Sequence, residues 1–122
     1  MAADPEFLEH AKDLFAGLGP LRVGRMFGGS ALYIDDAMFA MITGDAIFMK
    51  ADKPLAAEYA DAGSEAFSYD TKKGLRIIPG LMALPESAVE DPDEALVWAQ
   101  KSMIPAQATA HEKQRKKAAK KG

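Results

Sequence analysis

Four short apolar segments follow one another between residues 21 and 51, and only two residues separate each segment from the next. The segments read LRVGRMF, SALYI, AMFAMIT and AIFMKA, and the separators are Gly28-Gly29, Asp35-Asp36 and Gly44-Asp45. Aromatic and branched residues are typical of strands, and separators this short leave no room for the crossover helix that parallel neighbours need. The sequence therefore predicts an antiparallel meander with tight turns.

The third segment, AMFAMIT, is apolar in both of its alternating sets of residues. Met38, Ala40 and Ile42 form one set, and Phe39 and Met41 form the other, so both faces of this strand are predicted to be covered. An N-terminal helix covers one face. The other face needs a second helix, a later segment of the chain or a second copy of the protein.

A later segment, AFSYD at 66–70, alternates apolar and polar residues and is predicted to be an edge or one-sided strand. TKKG at 71–74 is typical of a hairpin turn that leads into LRII, and Pro79-Gly80 is expected to break that strand. With the meander, these segments predict a sheet of about five to six strands.

Three helices are predicted around this sheet. The first has Asp4 as its cap and Pro5 at its first position, followed by an apolar stripe of Phe7, Leu8, Ala11, Leu14 and Phe15. The second extends from Asp52 to Gly63, and the third begins at Asp91-Pro92 and is expected to end at Pro105. The fold class is therefore α+β, with an antiparallel sheet packed against N-terminal, middle and C-terminal helices.

Composition limits the classes of protein. A chain of 122 residues with 48% hydrophobic and 27% charged residues is typical of one soluble domain, and no apolar run reaches the roughly 18 residues that span a bilayer. The acidic N-terminus lacks the pattern of a secretory signal, so a cytoplasmic location with no membrane partner is expected. The absence of cysteine excludes disulfides, a thiolate zinc site and a cysteine nucleophile.

Charge separates the chain into an acidic body and a basic end. The last eleven residues hold six Lys or Arg and one Glu, which leaves nine basic and seventeen acidic residues in the rest. We predict a folded domain over residues 1–105 and a basic tail over 106–122, with no apolar anchor to fix the tail to the core. The tail either contacts nucleic acid, folds back onto the acidic body or keeps the protein soluble. Its candidate nucleic-acid contacts are Lys113, Arg115, Lys116, Lys117, Lys120 and Lys121.

The glycine pair Gly28-Gly29 does not have the context of a phosphate-binding loop. Together with Gly24 it has the wrong spacing for a dinucleotide fingerprint, and a strand rather than a helix follows. We interpret the pair as a turn or bulge at which a side chain would clash. Asp35-Asp36 has the composition of a two-residue hairpin turn, and we prefer that interpretation to a metal or catalytic pair.

The remaining polar residues suggest no catalytic, metal or cofactor site. His10 and His111 are expected to be solvated, and no serine has the context of a nucleophile. Arg22, Arg25 and Arg76 are expected to lie over strands and to pair with Asp or Glu. For the aromatic residues Tyr33, Tyr69 and Trp98, we prefer packing to a stacking platform for single-stranded nucleic acid. The sequence therefore predicts a protein that is not an enzyme.

The order of these motifs resembles the N-terminal domain of the TfoX/Sxy family. The matching stretches are Arg25 to Gly29, Ala31 to Ile42, Phe67 to Tyr69 and Leu84 to Ala99, and the likeness covers about residues 5–104. The chain departs from the family pattern at Asp36, where the family carries glycine, and in IIPGLMALPE. The resemblance implies an α+β domain in stand-alone form, without the second, helical domain of the competence regulators.

The family's named members are transcriptional coactivators of natural competence, so the resemblance implies a regulatory role. We expect an accessory protein that binds a protein partner, such as transcription machinery or a regulator, with auxiliary DNA contact by the tail. The alternative is a homodimeric interaction module without a nucleic-acid role, in which a second subunit covers the strand at 37–42.

Overall fold

The computed structural model describes residues 4–26 and 29–121, and for Met26 and residues 117–121 it describes the backbone alone. The helices are α1 (Pro5–Leu14), α2 (Lys53–Asp61), α3 (Glu86–Val89) and α4 (Pro92–Lys121), and a short 3-10 turn spans Ala16–Leu18. The strands are β1 (Arg22–Met26), β2 (Gly29–Ile34), β3 (Ala37–Thr43), β4 (Ala46–Lys50), β5 (Ala66–Thr71) and β6 (Gly74–Ala83).

The six strands form one antiparallel sheet in the order β1-β2-β3-β4-β6-β5. This order confirms the α+β class and the predicted meander of the first four strands. It also confirms that the AFSYD segment is an edge strand, because β5 is the last strand of the sheet.

Aspartates begin three of the helices. Asp4 accepts a hydrogen bond from the Glu6 amide at 3.0 Å, and Asp52 accepts one from the Leu55 amide at 3.0 Å. Asp91 accepts from the amides of Asp93 and Glu94 at the start of α4. These carboxylates satisfy amide groups that have no partner within their own helix, which is why the helices begin where the sequence predicts.

A bulge in β3 decides which side chains reach the helical layer. Leu32 pairs with Ala40 and Tyr33 with Met38, so Phe39 is an extra residue on β3. Phe39 and Ala40 are therefore both buried in the main core, where Phe15 meets the Phe39 ring edge-on with ring centroids 5.3 Å apart. Helix α4 packs along β3 on this face.

The opposite face of β3 is covered by the β5–β6 hairpin. Met41 is fully buried there, in a second cluster with Phe67 and Leu81. Of the three alternatives for this face, a second helix, a later segment of the chain or a second copy, the structure shows the later segment. The burial of Met41 therefore needs no second subunit.

Pro79-Gly80 does not break β6, contrary to expectation. The strand continues to Ala83, and the irregularity lies in its pairing with β5, where Phe67 pairs with Ile78 but Ala66 pairs with Met82. Proline, which has no amide hydrogen to donate, is tolerated at such a bulge. On the other side, the Gly80 carbonyl accepts from the Ala51 amide at 2.9 Å.

Pro105 does not end the last helix, which is also contrary to expectation. α4 continues through Pro105 to Lys121, and both Pro105 and Ala106 are buried. Packing against the core therefore outweighs the loss of one helical hydrogen bond at proline. Within residues 4–26 and 29–121, no helix combines the length and the apolar character needed to cross a membrane.

Candidate interaction surfaces

The segment after Pro105 is fixed to the folded domain. Ala106 is 1% exposed, and Ala110 packs against the main core one turn later. One further turn along, the Gln114 amide donates a hydrogen bond to the Asp36 carboxylate at 3.0 Å. The expectation of a tail without an anchor is therefore wrong, because small residues at helical spacing fit closely against the sheet.

The basic residues lie in the C-terminal turns of this helix. Lys113, Arg115 and Lys116 are exposed on α4, and Lys117, Lys120 and Lys121 lie on its last described turns, where only the backbone is described. Cations at a helix C-terminus interact favourably with the helix dipole. The sequence thus stabilises the same helix on which it concentrates positive charge.

The β2–β3 turn has a second role beyond chain reversal. Asp35 has a φ of 53°, and Ile34 pairs with Ala37, so Asp35 and Asp36 form a two-residue turn. Aspartate tolerates this left-handed conformation better than most residues. Because Asp36 also accepts from Gln114, the turn is one of the points at which the sheet contacts the basic helix.

Gly29 is the first residue of β2, and an added Cβ there would overlap the backbone carbonyl oxygen of Ile42 in β3. Glycine is needed here because β2 and β3 approach each other closely at this position. Gly28 lies outside the described residues.

A cavity of about 260 Å³ opens where the C-terminal half of α4 crosses the sheet. Its lining includes two ammonium groups, two hydroxyls and one carboxylate, from Lys50, Lys113, Tyr33, Thr109 and Asp36. Burial and the nearby Lys113 charge lower the pKa of Lys50. Sequence reasoning missed Lys50, because a single lysine at the end of a strand carries no local signal.

A larger cavity, of about 760 Å³, lies beside the β3–β4 turn and β5. Phe48, Phe67 and Tyr69 contribute aromatic surface to it, and the Phe48 and Phe67 rings meet with centroids 5.0 Å apart. Its carboxylates, Asp45 and Glu65, are both exposed. Aromatic packing, rather than a cluster of titratable groups, characterises this cavity.

The aromatic residues considered as a stacking platform are engaged within the fold. Trp98 stacks on Tyr59 with ring centroids 4.4 Å apart, and Tyr69 stacks on Phe67 at 5.8 Å. The Arg22 guanidinium lies 4.3 Å from the centre of the Tyr33 ring. These contacts agree with the packing interpretation.

Two expectations about polar side chains are wrong. His10 is half-buried and its Nε2 lies 2.8 Å from the Val89 carbonyl oxygen, so it joins α1 to α3 instead of being solvated. In the described part of the chain, Arg22, Arg25 and Arg76 form no ion pair with Asp or Glu. For Arg22 the Tyr33 ring takes the place of the expected carboxylate.

His111 is exposed on α4. Across residues 4–26 and 29–121, no three His, Asp or Glu side chains are grouped closely enough to hold a metal ion.

Comparison with protein families identifies a domain that covers most of the chain. The profile of the TfoX N-terminal domain matches residues 13–106 of the chain, from the end of α1 to the residue after Pro105. Comparison with curated proteins gives no match. Because the matched region covers most of the 122 residues, the chain belongs to the TfoX N-terminal domain family.

Proposed function

We propose that this protein is a small, non-enzymatic regulatory domain of the cytoplasm, which acts through protein contacts and touches DNA with the basic end of α4. Membership of the TfoX N-terminal domain family supports the regulatory role, since the chain resembles transcriptional coactivators of competence. The proposed protein partner is a component of the transcription machinery or a regulator of transcription.

The observation that carries the DNA contact is the anchored basic helix. Lys113, Arg115 and Lys116 are exposed on a helix held to the sheet through Gln114 and Asp36. The body outside the last eleven residues carries seventeen acidic and nine basic residues, so a polyanion is attracted to this end and repelled elsewhere. These charges favour DNA contact at the last turns of α4.

The test is a salt titration of binding to a fluorescent DNA duplex. We expect Arg115→Gln with Lys116→Gln to weaken binding and to flatten the plot of log affinity against log salt by about 0.9 for each lost phosphate contact. The matched control is Lys72→Gln with Lys73→Gln, which removes the same charge from the exposed β5–β6 turn. Equal losses in both variants, or no loss in either, contradict the proposed DNA contact.

The second candidate, a homodimeric interaction module without a nucleic-acid role, is supported by a different surface. Leu75 and Ile77 are 63% and 59% exposed on β6, in the hairpin at the edge of the sheet. They pair with Asp70 and Ser68 of β5, so this face of the hairpin is apolar beside a polar edge.

Sedimentation equilibrium separates the two candidates. A homodimer formed through this face dissociates in Leu75→Lys with Ile77→Lys, and it persists in the control Val97→Lys with Ile104→Lys, which alters exposed apolar residues of α4. A wild-type protein that remains monomeric at high concentration contradicts the homodimer.

A further inference from the structure

Two lysines from distant parts of the chain line the same cavity. Lys50 is the last residue of β4, and Lys113 lies on α4 in the turn that also holds Gln114. The cavity of about 260 Å³ between α4 and the sheet brings them together with the hydroxyl-bearing residues Tyr33 and Thr109. Four residues whose side chains can donate hydrogen bonds therefore line one small cavity.

The charges of these lysines are not neutralised within the described residues. Neither Lys50 nor Lys113 forms an ion pair there, not even with Asp36, the one carboxylate of the lining, whose hydrogen-bond donor is the neutral Gln114 amide. A third cation is close, because Arg22 lies over the Tyr33 ring. Holding a partly buried Lys50 close to the charge of the exposed Lys113 costs free energy, unless an anion lies between them.

We propose that the Lys50–Lys113 cavity binds a phosphate group. Two ammonium groups and two hydroxyls suit a tetrahedral anion with several oxygens. The volume holds such an anion with several waters, since each water occupies about 30 Å³ in the liquid. Inorganic phosphate and a phosphate of a nucleic acid share this chemistry.

The first experiment is titration of the full chain with inorganic phosphate, followed by amide NMR, against sodium chloride at the same ionic strength. We expect saturable shifts at Lys50, Thr109 and Lys113. Lys50→Gln should weaken phosphate binding about tenfold, the value of one charged hydrogen bond, and Lys50→Arg should retain most of it. The control Lys72→Gln with Lys73→Gln should bind phosphate like the wild type.

Asp36 provides a test of the sign of the ligand charge. Asp36→Asn keeps an oxygen that accepts from Gln114 but removes the negative charge beside the cavity, so it should strengthen phosphate binding. Weaker binding in this variant overturns the proposal. Absence of saturable shifts in the wild type, or an equal loss in the Lys72 and Lys73 control, also overturns it.

A duplex DNA titration of the same variants identifies the source of the phosphate. If Lys50→Gln weakens both duplex and inorganic phosphate binding, the group belongs to DNA, and if it weakens inorganic phosphate binding alone, the ligand is free phosphate. This site does not depend on the DNA contact proposed for Arg115 and Lys116. Gln substitutions at those two residues should leave inorganic phosphate binding unchanged, so the two proposals fail separately.

Discussion

The hydroxyl of Tyr59 lies 2.7 Å from Oγ of Ser102, and this buried pair joins α2 to α4. The Tyr59 hydroxyl donates to the Trp98 carbonyl at 3.3 Å, and in that arrangement it accepts from Ser102. The Tyr59 ring stacks on Trp98, so one side chain contributes both apolar and polar contacts to the helix interface. These contacts therefore help to hold α4 against α2.

Ser102→Ala should lower the free energy of unfolding by about 1 kcal/mol, because the Tyr59 hydroxyl loses one of its two partners. Urea denaturation measures this change. The control, Ser68→Ala on the exposed face of β5, should stay within about 0.5 kcal/mol of the wild type. A Ser102→Ala variant as stable as the Ser68→Ala variant contradicts the role of the pair.

Stability should fall at alkaline pH through Tyr59. Burial raises the pKa of the Tyr59 hydroxyl above its ordinary value of 10.0, so the folded protein retains a proton that the unfolded chain releases. The protonated Tyr59 hydroxyl makes its full contribution to the free energy of unfolding below about pH 10. That contribution is lost as the pH rises from there towards the raised pKa. Tyr59→Phe lacks a titrating group and should lose less stability over this range. Parallel pH profiles of unfolding free energy in the two proteins would show that Tyr59 is not responsible.

The pKa of Lys50 should rise in Lys113→Gln. Burial and the Lys113 charge both lower this pKa from its ordinary value of 10.5, and the substitution removes the second cause. NMR titration of the lysine side chains measures the pKa. Lys72→Gln, at the far hairpin turn, should leave it unchanged, and a Lys113→Gln variant with the wild-type pKa would place the two ammonium groups too far apart to share a ligand.

Gly29→Ala should destabilise the protein by about 1–3 kcal/mol or more, because the new methyl group meets the backbone oxygen of Ile42, which cannot rotate away. Gly80→Ala is the matched control in β6, where the nearest atom to an added Cβ is the Ala51 oxygen at 3.7 Å, an ordinary contact. Thermal unfolding compares the two variants. Equal melting temperatures would contradict the close approach of β2 to β3.

Local signals in the sequence were sufficient to predict most of the fold. Asp4 and Asp52 cap helices because their carboxylates bond to amides two or three residues away, and the turn at Asp35-Asp36 is equally local. Such interactions depend on neighbours in the chain, so a sequence pattern contains them. The same kind of information predicted five to six strands, and the sheet has six.

The errors arose where packing outweighed a local penalty. Proline in a helix costs about 3 kcal/mol, which predicted an end at Pro105. However, Ala99, Met103, Ala106 and Ala110 follow one another at spacings of three or four residues, so the apolar stripe of α4 crosses the proline without interruption. A prediction based on this stripe, and not on the proline, would have assigned the basic residues to a helix that packs against the core.

The candidate site was less accessible to sequence reasoning than the fold. Lys50 and Lys113 are 63 positions apart, and Gln114 reaches Asp36 across 78 positions. These residues come together because α4 packs along β3. No local sequence pattern predicts that packing.

The extra residue in β3 reverses the parity of the strand halfway along its length. Before the irregularity, the odd positions Ala37 and Phe39 face the main core. After it, the even positions Ala40 and Ile42 face the same core. An insertion of one residue should therefore be tolerated best beside Phe39, where the count is already irregular. Elsewhere in β3, the same change would move the side chains of part of the strand to the opposite face of the sheet.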